Sequence, residues 1–145
     1  MPRIGLLLAV AALGCGSEVD EEGARALWDE IHGQSYPEWE RAPGYETPQP
    51  TVRAHGQTAI VYLNDVMVEA LAGPTISAWP PGALLVKESF DGDEVTLIAA
   101  MEKQGSSWFF AEWTPDGEVK YAGEPAVCTN CHAAGGDSVL AVALP

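Results

Sequence analysis

The chain of 145 residues predicts a single α+β domain, a mostly antiparallel β-sheet meander with a few peripheral helices. Short β-rich segments follow one another through tight turns, which is typical of strands joined as hairpins. Apolar residues recur at helical spacing only in short segments outside these strands. The length suits one domain, which we place at residues 24–145.

The N-terminal residues 1–15 predict an export signal. A basic residue precedes an apolar run at residues 4–13, which is far shorter than the roughly 20 residues that span a bilayer. The run ends at Gly14-Cys15, which resembles a bacterial lipobox, and a simple secretory cleavage near Gly14 is the alternative. We therefore expect an exported, periplasmic lipoprotein that meets the membrane only through a lipid on Cys15. Residues 16–23 form its acidic tether.

The composition is strongly acidic. The 21 Asp and Glu outnumber the 7 Lys and Arg, which gives a net charge of −14 at neutral pH. Such a surface repels nucleic acid and anionic lipid, so neither is expected as a partner. It suits a basic redox partner protein, although a surface that serves only solubility accounts for the charge as well.

Two helices and one loop are predicted outside the sheet. Apolar residues recur at helical spacing over 24–31, and a glycine follows as a stop signal. Residues 65–72 form a short helix that is capped by Asn64 or Asp65 and ended by Gly-Pro. The segment 36–50 is rich in proline and can be neither a regular helix nor a central strand.

Five β-rich segments predict the strands of the meander. They are residues 58–64, 83–90, 94–102, 107–113 and 118–122. The short connections at 91–93 and 115–117 contain glycine in turn-forming sequences. Near the C-terminus, residues 137–144 are expected to pack back on the sheet or on the group attached at residues 128–132, which is described next.

The motif Cys-x-x-Cys-His at Cys128, Cys131 and His132 is the attachment signature of a c-type haem. Two thiols one helical turn apart can add to the two vinyl groups of one porphyrin, and the histidine is then held beneath the iron. A redox Cys-x-x-Cys and a zinc site are the alternatives. Zinc needs roughly four ligands, and no second Cys or His pair exists here. The sequence therefore predicts one covalent haem c with His132 as the iron ligand.

The second axial position of the iron separates the function classes. Electron carriers usually fill it with Met or His, whereas sensors and oxidising enzymes leave it open. No methionine follows His132, which excludes the common arrangement with a downstream Met. Met67 and Met101 lie in core patterns, and His32 is predicted at the solvent-facing end of a helix. For His55 we expect either a loop position at the surface or a place in the distal pocket.

Taken in order, several segments resemble the cytochrome P-460 family, which includes the cytochrome c′-beta proteins. The segments that carry the resemblance are 55–56, 61–64, 79–82, 85–88, 99–103, 108–113 and 128–132, with Asp137 shortly after. The resemblance covers about residues 24–145. It implies a mostly antiparallel sheet with peripheral helices and a five-coordinate haem c.

The resemblance implies site residues that differ between the two branches of the family. In the P-460 members a lysine of a Val-Lys-Glu strand motif is cross-linked to the porphyrin, and Lys87 matches it. Strand alternation puts Lys87 on one face and Glu88 on the other, and a lysine that reaches solvent is the plain alternative. These members oxidise hydroxylamine with a distal carboxylate, at the position that Ile98 occupies here. Glu94 and Glu102 share the strand face of Ile98.

The c′-beta members have an apolar distal side and bind nitric oxide or carbon monoxide, and their distal phenylalanine aligns with His55 or Gly56. A histidine there could donate a hydrogen bond or shuttle a proton. We therefore expect an open iron site that binds or redox-converts nitric oxide or hydroxylamine. The alternative is a lipid-anchored, six-coordinate electron-transfer cytochrome c with His55 or Met67 as the sixth ligand. The expected partners are a small-molecule ligand, a basic redox partner protein and a second copy of the chain.

Overall fold

The computed structural model describes residues 19–51 and 55–145, and it confirms the predicted α+β class. Within these ranges, seven strands pair antiparallel in one sheet, accompanied by three α-helices. The predicted export signal and residues 16–18 of the predicted tether lie outside the described residues. Among the helices described, none is long and apolar enough to cross a membrane.

The five longest strands follow the chain through the sheet as the predicted meander. The strands are β1 (Glu40–Arg41), β2 (Gln49–Pro50), β3 (Thr58–Leu63), β4 (Leu84–Asp91), β5 (Glu94–Gln104), β6 (Ser107–Trp113) and β7 (Val119–Gly123). The helices are α1 (Glu21–Gly33), α2 (Asp65–Ala72) and α3 (Ala126–His132). The order in the sheet is β1-β3-β4-β5-β6-β7, and β2 pairs with the same edge of β3 as β1.

The proline-rich segment 36–50 contributes only a 3₁₀ turn and the two-residue strands β1 and β2 at the sheet edge. Proline lacks the N–H that a central strand must donate, so Pro50 is tolerated only at such an edge. The sequence therefore predicted correctly that this segment forms no central strand.

Helix α1 begins at Glu21, inside the segment 16–23 that was predicted as a tether. The carboxylate of Asp20 accepts a hydrogen bond of 2.8 Å from the backbone N–H of Gly23, which caps the first turn. The tether is therefore shorter than predicted, because its last acidic residues belong to the helix.

The sheet separates two apolar cores. One face packs against α1, and its cluster includes Leu27, Ile31, Val86, Ile98 and Trp113. The other face is covered by α2, α3 and the C-terminal segment, and its cluster includes Met67, Leu85, Met101, Phe110 and Val139. Because successive strand residues point to opposite faces, neighbours in sequence serve different cores.

The side chain of Asn64 joins three elements at one corner of the sheet. Its Oδ1 accepts hydrogen bonds from the backbone N–H of Met67 (3.2 Å) and of Leu84 (3.1 Å). Its Nδ2 donates to the carbonyl of Gly82 at 2.9 Å. Asn64 therefore caps α2, as predicted, and also holds the start of β4.

We expect the Asn64→Ala variant to lose about 2 kcal/mol of unfolding free energy. Loss of a helix cap costs about 1 kcal/mol, and the part-buried N–H of Leu84 also loses its acceptor. Urea unfolding followed by tryptophan fluorescence measures the loss. The Asn64→Asp variant keeps both acceptor bonds and should lose less, so equal losses in the two variants would contradict this account.

Candidate functional site

The three motif residues are brought to one side of α3. Cys128 and Cys131 are three residues apart on this helix, so their side chains are neighbours on its surface. Both thiols are free and partly buried. His132 ends the helix directly after the second thiol. Helical geometry therefore presents two sulfur atoms and one imidazole towards the sheet.

A cavity of about 540 Å³ lies between α3, the C-terminal segment and the sheet. Its apolar wall is formed by Val61, Leu85, Met101, Val139 and Ala141. Cys131 and His132 line it from the helix side, and a small cavity of about 50 Å³ beside it is lined by Cys128. The larger volume lies within the range of about 300–1,000 Å³ that is usual for ligand and cofactor sites.

The imidazole of His132 is oriented by one backbone carbonyl. Its Nδ1 lies 2.9 Å from the carbonyl oxygen of Ser138 and donates to it. Burial lowers the pKa of His132, so the ring is neutral at neutral pH. A neutral ring with its proton on Nδ1 has Nε2 available as a metal ligand.

A second group of polar residues reaches the cavities from the sheet. The antiparallel register places Val61, Lys87, Ala99 and Glu112 in one row across β3, β4, β5 and β6. The small side chain of Ala99 separates Lys87 from Glu112. Both polar residues therefore stand on the cavity face, and Lys87 is not the solvent-reaching lysine of the plain alternative.

His55 approaches this row from the loop that precedes β3. Its Nδ1 lies 3.2 Å from Oε1 of Glu112, and the two side chains are 23% and 14% exposed. The contact lacks the alignment of a hydrogen bond. His55 is followed by Gly56, which has a φ of +77° and would place a Cβ 2.9 Å from that of Ser89. Only glycine fits there, so the backbone fixes where His55 enters the site.

Burial favours the uncharged forms of all three polar residues. Burial, together with the nearby Lys87 ammonium and the His132 imidazole, lowers the pKa of His55 to about 4. Burial also lowers the pKa of Lys87, which the carboxylate of Glu112 partly offsets. The pKa of Glu112 is raised by burial, against the charges of Lys87 and Lys120. A histidine, a lysine and a carboxyl group with shifted pKa values in one cluster are typical of sites that accept and deliver protons.

Only some of the residues considered as a second axial ligand lie at the cavities. His55 and Met101 line both cavities. Met67 is fully buried on the inner side of α2 and belongs to neither cavity wall. His32 is exposed at the end of α1, on the other side of the sheet, as predicted. The interpretation of Met101 as an ordinary core residue was therefore incomplete.

Ile98, which the resemblance aligned with a distal carboxylate, does not reach the cavities. Ile98 belongs to the core under α1, so it points away from the cavities. Glu94 and Glu102 share its strand face and point away as well. The carboxylate that reaches the site is Glu112, whose role the sequence analysis missed. Its alternation with Phe110 was visible in the sequence, but its partners across the sheet were not.

The site can hold a planar apolar group beside the two thiols of α3 and can ligate a metal through the imidazole of His132. The cluster of His55, Lys87 and Glu112 can exchange protons there. Glu88, next to Lys87 in sequence, faces the other core, where Tyr36 (2.7 Å) and Tyr62 (3.0 Å) donate to its carboxylate. It takes no part in the site.

No protein-family model matches this chain, and comparison with characterised proteins finds no similar sequence.

Proposed function

We propose that this chain is an exported c-type haem protein whose open iron site binds or redox-converts small nitrogen species, nitric oxide and hydroxylamine. One observation carries the proposal. Cys131 and His132 share a cavity with His55 and Lys87, and Cys128 lies with Glu112 beside it. An attachment motif and a proton-exchanging cluster thus meet in one place, as the resemblance to the cytochrome P-460 family implies.

The residues present fit a covalent haem c. Cys128 and Cys131 offer free thiols on one helix, and His132 offers Nε2 because its Nδ1 is bound to Ser138. The remaining wall is mainly apolar, which suits a porphyrin. When bound, the haem supplies an iron with an open coordination position and one-electron chemistry.

The cluster opposite the attachment motif has the chemistry that hydroxylamine requires. Oxidation of hydroxylamine releases protons together with electrons. The electrons would pass through the haem iron to the redox partner protein, and the protons need a base beside the substrate. Glu112 is that base in this proposal, and the neutral His55, 3.2 Å from its carboxylate, is the next proton acceptor. Lys87 is placed either to bond the porphyrin, as in the P-460 members, or to remain a free amine. Binding of nitric oxide needs no proton transfer and therefore does not depend on Glu112 and His55.

One observation favours the electron-transfer alternative. His55 and Met101 both line the cavities and are chemically able to fill the second axial position. Export, lipidation at Cys15 and a basic redox partner would serve either function, and they rest on the sequence alone. We favour the open site because a buried carboxylate beside His55 serves proton exchange and has no role in an electron carrier.

The visible spectrum of the purified protein tests the proposal. We expect the full chain, expressed in a host that attaches haem c, to retain its haem on a denaturing gel. Its ferric spectrum should be high-spin and should change when nitric oxide is added. The Cys128→Ser/Cys131→Ser variant is the control and should be colourless on the gel. A broadened, red-shifted ferrous Soret band that disappears in the Lys87→Met variant would identify the cross-link.

Two results would contradict the proposal. Wild-type protein without covalent haem would refute the haem assignment and leave a redox or zinc function for the motif. A sharp low-spin spectrum that ignores nitric oxide would assign the protein to electron transfer, and the His55→Ala and Met101→Ala variants would then show which residue fills the sixth position.

A further inference from the structure

A buried ion pair ties the C-terminal segment to the sheet. Lys103 Nζ donates to both carboxylate oxygens of Asp137, at 2.8 and 2.9 Å, and the backbone N–H of Trp79 donates to one of them at 2.8 Å. The side chain of Lys103 is only 4% exposed. Its ammonium group also lies 5.3 Å from the centre of the Trp108 ring. Asp137 is therefore fixed by three hydrogen bonds from two donor groups in separate parts of the chain.

Two consecutive residues of the backbone at this point lie in the left-handed region. Asp137 and the following Ser138 have φ values of 47° and 67°, in the left-handed region that residues with side chains disfavour. A Cβ on Gly135 would collide with the carbonyl of Val139, so the turn closes tightly on itself. Strained turns of this kind persist only where the surroundings hold them. Here the bonds to Asp137 act together with the backbone bonds from Ser138 to Gly135 and from Val139 to Gly136.

The carbonyl that orients the proposed iron ligand belongs to this strained turn. Ser138 directly follows Asp137, and its oxygen accepts the hydrogen bond from Nδ1 of His132. A carbonyl in this place fixes the tautomer and the ring orientation of a ligating histidine and makes it a stronger electron donor. The position of the Ser138 carbonyl thus connects the ion pair to the imidazole.

We propose that the Lys103–Asp137 ion pair positions His132 as an iron ligand by holding the turn that carries the Ser138 carbonyl. This inference rests on the proposed haem function. Neither charged residue touches the cavity wall, so both are positioning residues. The pair sets the donor strength of the imidazole, and through it the balance between ferric and ferrous iron.

The test uses the haem-loaded full chain with three single substitutions. Lys103→Met removes two of the three hydrogen bonds, and Asp137→Ala removes the acceptor of all three. Asp137→Asn keeps an acceptor for the N–H of Trp79, and asparagine tolerates the left-handed conformation. We expect the reduction potential to rise and the iron–histidine stretching frequency of the ferrous protein, measured by resonance Raman, to fall. The shift should be large for Lys103→Met and Asp137→Ala and smaller for Asp137→Asn.

A matched control separates positioning from general loss of stability. Asp20→Ala removes the cap of α1, on the other side of the sheet, and should destabilise the protein without changing either signature. Unchanged potential and unchanged iron–histidine frequency in Lys103→Met and Asp137→Asn would overturn the inference. Both variants are conservative in size, so the test does not depend on whether Asp137→Ala folds. The wild-type spectrum tests the haem function separately, since it does not involve these variants.

Discussion

In the haem-loaded protein, the Glu112→Gln variant is expected to oxidise hydroxylamine roughly 10²–10⁴-fold more slowly than wild type, the usual contribution of a positioned general base. Glutamine has nearly the same shape as glutamate but cannot accept a proton at neutral pH. Binding of nitric oxide involves no proton transfer and should be unchanged. Stopped-flow spectroscopy with each ligand measures both quantities in the same preparation.

The pH dependence of this rate follows from the environment of Glu112. Burial raises the pKa of its carboxyl group, while the positive charges of Lys87 and Lys120 act against the rise. Glu112 can act as a base only when ionised, so the rate should fall as the pH drops through this raised pKa. The fall should therefore begin at a higher pH than for an exposed glutamate. His55, with a pKa lowered to about 4, should add a change only in more acidic solution.

The Glu118→Gln variant provides the matched control, because it makes the same chemical change at an exposed position in the turn after β6. It should oxidise hydroxylamine at the wild-type rate and keep the pH profile. A Glu112→Gln variant within a few-fold of wild type would show that another group takes the proton. The proposed site would then be a gas-binding site like that of the c′-beta members.

The strands were predictable because each carries its own local signal. Strand β6 (Ser107–Trp113) and helix α2 (Asp65–Ala72) were predicted with the observed bounds, since turn residues or a capping residue mark their ends. The edge strands β1 and β2 were not predicted. They have two residues each and form only because β3 presents an open edge to them.

The motif residues and Lys87 could be identified from the sequence, but Glu112 could not be assigned. Lys87 stands on the predicted face of β4, because alternation is a local property. Finding Glu112 required the register of two hairpins, which places it beyond Ala99 in the row of Lys87. The alignment that selected Ile98 was one residue from the cavity-facing Ala99. A slip of one residue moves a strand position to the opposite face of the sheet.

The ion pair between Lys103 and Asp137 also could not be predicted from local sequence. The two residues are 34 positions apart, and neither carries a local pattern that predicts a partner. The segments that support the family resemblance include both residues and also Trp79 and Trp108. In the folded chain the Lys103 ammonium and the backbone N–H of Trp79 both donate to the carboxylate of Asp137, and the Trp108 ring lies beside the ammonium.

The Lys103→Met substitution is expected to lower the unfolding free energy by about 3 kcal/mol. Removing one partner of a buried ion pair costs about 3–5 kcal/mol, because the other charge is left without compensation. The lower end applies here because the Asp137 side chain is 18% exposed and can recover some hydration. Urea unfolding of the purified protein measures the loss. The Lys103→Met/Asp137→Asn double variant leaves no buried charge and should lose less than the sum of the two single variants.

Acid should remove the contribution of the Lys103–Asp137 ion pair to the unfolding free energy of the wild-type protein. Burial alone would raise the pKa of Asp137, but the hydrogen bonds from Lys103 and Trp79 and the charge of Lys103 bring it below the ordinary value of 3.8. A lowered pKa stabilises the folded state fully above the ordinary value, and the stabilisation is lost as the pH falls through the lowered one. The wild-type and Lys103→Met stabilities should therefore differ most above this range and converge below it. A difference that stays constant down to strong acid would show that packing, and not the ion pair, accounts for the loss.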